Sequence, residues 1–196
     1  VMDAIQVILY GSFSPSFLNK AADDAKNRRS VLSYLRGEQK DGSANRKDCD
    51  FCSVIALEIE DTGTHIITCI GIAFEVRKSD SEIKKFVYFS HSGKMPESEY
   101  LTEQGVCYSN QEIKKLVSAR TKSDDNRGKG EVNRIYGSKE AYLGTLYDVI
   151  LGYIDQNRFI TMEKSAIALK MTNGTGQFIR DYMFPKNTSN TIATIS

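Results

Sequence analysis

Four cysteines among 196 residues, Cys49, Cys52, Cys69 and Cys107, are too few to staple a chain of this length into a disulfide scaffold, so reduced thiols are expected. A net charge of +1 leaves no bulk attraction toward nucleic acid or an anionic membrane surface, and neither is expected as a partner. No apolar run approaches the roughly 18 residues that a membrane-spanning helix needs. Val1 to Tyr10 is too short, and lacks the basic flank, to be a signal peptide. The chain is therefore expected to be soluble.

What is present suits a folded domain. Apolar residues make up 40% and charged residues 26%, which argues against disorder along most of the length. The size fits one domain spanning residues 1–196. A start on Val1 rather than Met suggests a piece of a larger polypeptide.

Residues 16–36 place apolar side chains at near-helical spacing between Pro15 and Gly37, predicting a helix. The polar stretch 38–48 reads as a loop. Three runs rich in β-branched and aromatic residues follow: CSVIALEIE, HIITCIGIAFEVR and KKFVYFSH. Short turns, DTGT and KSDSE, separate them, so an antiparallel meander is expected. QEIKKLVSAR, with a cap at Ser109 or Asn110, predicts a helix that the polar run 121–130 ends. A longer helix is predicted from Ser138 through Gln156. FITMEKSAIALKMT reads as a last strand or strand pair, and the tail beyond it as frayed. The fold class is α+β: an antiparallel sheet of three or more strands packed with two to three helices.

The turn KSDSE is centred on Asp80, and in a hairpin, residues equidistant from the centre face one another. Cys69 and His91 are both eleven positions from Asp80, which predicts that they oppose each other on one face with Cβ atoms about 4.5–5.5 Å apart. An imidazole there can take the thiol proton and leave a thiolate nucleophile for attack on a carbonyl or amide. Thr68, Ser90 and Ser92 are candidates for orienting the ring or stabilising an oxyanion. Small residues beside Cys69, Gly71 and Ala73, leave room for a ligand unless Phe89 or Val87 fills it. The alternative is that thiol and imidazole are core residues, since cysteine packs in strands as a small hydrophobe.

The stretch from Cys69, Ile72 and Ala73 to Val87, Tyr88, His91, Ser92 and Gly93 resembles toxin domains of the cytotoxic necrotizing factor type, and the chemotaxis-protein deamidases related to them in architecture. The resemblance covers residues 66–93, and it departs from the family in carrying Ile67 and Thr68 where a Ser-Gly pair precedes the catalytic cysteine. It also departs in a longer spacing between cysteine and histidine. The resemblance implies a cofactor-free hydrolase, delivered as a toxin or effector, that deamidates a glutamine of a protein substrate with Cys69 as nucleophile and His91 as its base. The loops 93–110 and 121–133 would rim the site.

Two other functions compete. One is a non-enzymatic protein-interaction module with the sheet as scaffold. The other is a zinc-binding, nucleic-acid-processing domain, in which the CxxC of Cys49 and Cys52 is half a metal site completed by His65, His91 or Cys107. No His-x-Glu or Cys-x-Glu precedes that CxxC, unlike the zinc nucleobase deaminases. NGTGQ at 173–177 lacks the Lys-Ser/Thr ending of a phosphate-binding loop, RGKGEVNR reads as a solvated loop, and Asn173 and Asn187 stand in glycosylation sequons.

Overall fold

A computed structural model describes residues 2–13, 30–39, 41–123 and 132–167. Most of the expected helix 16–36, residues 124–130 of the run 121–130, the NGTGQ turn, both sequons and the tail lie outside the described residues.

The expected meander forms the sheet: β1 (Phe51–Glu60), β2 (Ile67–Val76) and β3 (Lys85–Ser92), all antiparallel. A three-residue strand, β4 (Arg134–Tyr136), adds to β3 and gives the order β1-β2-β3-β4. β4 was not anticipated, because three residues are too few to show a two-residue period. The architecture is α+β, with helices α1 (Met2–Tyr10), α2 (Val31–Arg36), α3 (Asn110–Ser123), α4 (Lys139–Gly144) and α5 (Gln156–Ile167). Among the described residues no helix is long and apolar enough to cross a membrane.

Local signals explain where the helices start. Ser30 accepts from the Ser33 N–H at 3.0 Å to begin α2, and Gly37 closes it at φ 68°. Ser109 and Glu112 form a reciprocal box at the start of α3: Glu112 accepts from the Ser109 N–H at 2.7 Å, and Ser109 Oγ from the Glu112 N–H at 3.3 Å. The helix predicted from Ser138 starts there but becomes π-helical over Thr145–Ile150, where the Leu151 N–H reaches back to the Leu146 carbonyl at 2.9 Å. It stops before Gln156, at Gly152 (φ 73°) and Tyr153 (φ 62°).

The segment expected as a last strand is helical through Ile167. Asp155 caps α5 by accepting from the Arg158 N–H at 2.8 Å, and Phe159 packs edge-on against Tyr147 with centroids 6.0 Å apart. The cap signal and helix formers such as Met162 and Glu163 outweigh the β-branched Ile160 and Thr161.

β2 and β3 are covered on both faces. On one, Ile70, Ile72, Phe74, Val76 and Tyr88 join the buried residues of α1, α2 and α4. On the other, Ala73 and Phe89 pack beneath Tyr100 from the loop 93–109 and Ile113 and Val117 from α3. The space beside Gly71 is therefore occupied: a Cβ there would lie 2.9 Å from Phe89 Cζ, 2.9 Å from Ala56 Cβ and 2.5 Å from the Ile55 carbonyl oxygen. The Gly71→Ala variant is expected to lose about 1–3 kcal/mol, because backbone and packed side chains must move to admit one methyl group. A lower urea midpoint at unchanged m-value is the check.

Candidate functional site

Cys69 and His91 occupy facing positions in the β2–β3 ladder, as the turn centre predicts. Both are fully buried, with 0% exposure. The strands set this arrangement: the pleat turns both side chains toward the face that α3 and the loop 93–109 cover.

The ring's hydrogen bonds fix its tautomer. His91 Nδ1 lies 3.0 Å from the Ser92 carbonyl oxygen, which can only accept, so Nδ1 carries the proton. Nε2 is then the acceptor, and the Tyr100 hydroxyl donates to it at 2.9 Å. The lone pair that a catalytic base would turn on the thiol is thus held by a tyrosine. Cys69 donates to the Gly93 carbonyl oxygen at 3.5 Å, and the Tyr100 hydroxyl lies beside its sulfur as well.

Burial controls the electrostatics. Loss of solvent pushes the Cys69 thiol up to about 11, with nearby Glu58 adding to the rise while Tyr100 and Arg120 oppose it. Burial also lowers His91 below its ordinary value. Glu58 faces Cys69 across the β1–β2 ladder, and its Oε2 accepts from the Met95 N–H at 2.7 Å. The cluster is Glu58, Cys69, His91, Tyr100 and Arg120. Glu99 and Tyr100 both have left-handed backbones, φ 52° and 60°.

The hydroxyls of Thr68, Ser90 and Ser92 are not where the chemistry needs them, although Ser92 does orient the ring by its main chain. Each is one residue removed from Cys69 or His91 in its strand, so its side chain projects from the opposite face. Ser90 Oγ pairs with Tyr136 Oη at 2.6 Å and with the Val132 carbonyl. Ser92 Oγ turns to Asn133, and Ser92 orients the imidazole through its main-chain carbonyl instead. The side chain that does reach the pair, Tyr100, comes from an irregular loop where no spacing could select it. Glu58 is hidden from the sequence as well: DTGT, centred between Thr62 and Gly63, would set Ala56 opposite Cys69, whereas the ladder turns between Gly63 and Thr64 and sets Glu58 there.

The zinc alternative does not assemble. Cys49 is exposed, Cys52 and Cys107 are half-buried, and His65 pairs with Glu60 at 3.1 Å. Among the described residues no three His, Cys, Asp or Glu side chains are grouped to hold a metal ion. Burial raises the thiols of Cys52 and Cys107.

Two outcomes follow. Tyr100→Phe leaves His91 Nε2 a buried acceptor without a donor and is expected to cost about 1–3 kcal/mol in chemical denaturation. His91, depressed in the folded state, binds its proton more readily once unfolded. Its contribution is complete above the ordinary histidine value near 6.5 and is lost as pH falls below it toward the folded-state value. Unfolding free energy should fall by up to about 1.4 kcal/mol per pH unit in that window, and His91→Gln should remove that part of the slope. Comparison with protein-family models, with curated proteins and with solved structures gives no match for this chain, so residue roles rest on its own geometry.

Proposed function

We propose that the chain is a non-enzymatic protein-interaction module whose sheet is the scaffold. The observation that carries this reading is the sealing of Cys69 and His91, both at 0% exposure beneath Tyr100 and α3. A thiol near 11 is ionised at pH 7 to the order of one part in ten thousand. A nucleophile needs both a thiolate and a path to substrate. Open concave surface lies elsewhere: along the outer edge of β1, and in a trough between the loop 98–108 and α3 that exposes Leu101.

One observation favours a second reading, a cysteine-dependent amidohydrolase acting on a protein glutamine. Consecutive non-glycine residues with left-handed backbone, Glu99 and Tyr100, hold the hydroxyl over the pair, and such strain of about 1–3 kcal/mol per residue gathers at functional sites. In that reading the loop 93–109 withdraws Tyr100. Cys69 then attacks the amide carbon, His91 takes the thiol proton and passes it to the departing ammonia, and water frees the thiol.

Thiol labelling tests the module. Iodoacetamide at pH 8 is expected to modify exposed Cys49 at an ordinary rate and to leave Cys69 unreacted until the protein unfolds. Glutamine-to-glutamate conversion in lysate proteins, present with the native chain and absent with Cys69→Ser, would overturn the module in favour of the hydrolase.

A further inference from the structure

We infer that the outer edge of β1 receives an extended, carboxylate-bearing peptide of another protein as a fifth strand; this names a partner class for the interaction module and rests on that reading. β1 is the end strand of the sheet, ten residues long, and pairs with β2 alone among the described elements. Natural sheets guard such edges with lysine, proline, glycine bulges or very short strands. β4 at the opposite end is three residues long. β1 has none of these devices: its run FCSVIAL is uncharged. Its two carboxylates stand at the far end, where Glu58 accepts from the Met95 N–H and Glu60 pairs with His65.

The edge opens into a cleft rather than onto flat solvent. Ser53 to Ala56 form one wall, and Tyr34, Arg36, Asn45 and Arg46 contribute to the other. The Ile55 carbonyl lies against Gly71, so the Ile55 main chain faces β2. By the alternation of an antiparallel ladder, Val54 and Ala56 turn their N–H and C=O groups outward. The Val54 N–H is taken by the Cys107 sulfur, so an incoming strand would bond to the Val54 carbonyl and to the Ala56 N–H and carbonyl, which is strand addition.

Charge selects the occupant. Arg36 Nη2 donates to the carbonyl oxygens of Arg77, Lys78 and Asp80 at 3.3, 3.1 and 2.8 Å, and its Nε is buried without a hydrogen-bond partner. Arg46 stands over the Phe51 ring, 5.2 Å from its centroid. Among the described residues neither guanidinium meets a carboxylate. Two positioned cations beside an edge that no other strand pairs among the described residues complement an acidic strand. A second copy of this chain fits poorly: antiparallel self-pairing centred on Ile55 would set Asp50 against Glu60, like charges directly opposed.

The test uses the full chain and a fluorescent octapeptide of alternating valine and glutamate, with a valine–lysine octapeptide as control. The glutamate peptide is expected to bind about ten-fold tighter than the lysine peptide, to slow amide exchange at Ala56, and to lose about ten-fold in affinity to the exposed-site variant Arg46→Glu. Equal binding of the two peptides would overturn the inference. So would unchanged exchange along β1, or a dimer whose β1 amides are already protected without peptide. Protection confined to the trough at Leu101 and Leu116 would sink this edge as the docking site and leave the module standing. Cysteine-dependent deamidation would sink the module whatever the peptides do.

Discussion

Burial of β2 and β3 on both faces is the constraint from which the rest follows. A sheet covered on one side can send alternate residues to water, but β2 buries residues of both parities, from Thr68 through Phe74. Each polar group carried inward must then find a partner or cost about 1–3 kcal/mol. Tyr88, Ser90, His91 and the Cys69 thiol all have one: Gly11, Tyr136, Tyr100 and Gly93 respectively. The Cys69 and His91 pair is one instance of this general accounting. Its chemistry is set by the need to satisfy buried atoms.

The same logic explains α1, which the sequence conceals. Its apolar residues run almost continuously from Val7 to Tyr10, so no amphipathic stripe marks it as a helix. The end of a buried helix leaves carbonyls unpaired. Here three tyrosine hydroxyls serve the chain at that end: Tyr142 donates to the Ile8 carbonyl at 3.1 Å, Tyr147 to Leu9 at 2.9 Å and Tyr88 to Gly11 at 2.6 Å. Their rings stack and pack in the main core while their hydroxyls do the capping. Removal from water pushes Tyr88 and Tyr147 up to about 12, so these hydroxyls stay protonated as donors.

Legibility in the sequence tracked the range of the interactions involved. The three long strands and the facing of Cys69 and His91 were readable because alternation and a polar turn are local signals, and the turn centre at Asp80 fixes the register. β4 pairs at Tyr88 and Tyr136, far apart in sequence, and is too short to announce itself. α5 conflicts with the strand expected from Ile160, Met162, Ile167 and Leu169, because the Asp155 cap is a stronger local signal than that alternation. Whether the pair was open or sealed depended on Tyr100, a residue of an irregular loop held by contacts with Phe89 and His91. No periodicity carries that information.

A thiol and an imidazole can share a pleat for two opposite reasons, and their surroundings separate them. A catalytic pair keeps its base facing the thiol and one side open to substrate. Here the base faces a phenol that itself donates, so a proton leaving sulfur would have to displace the Tyr100 proton from Nε2. Loss of solvent disfavours the thiolate and the imidazolium alike, while Arg120, which favours the first, disfavours the second. The centre of the sheet is thus tuned toward neutral, paired groups. The rim differs: where β1 ends the sheet, Arg36 and Arg46 line a cleft and the Arg36 Nε is buried without a hydrogen-bond partner.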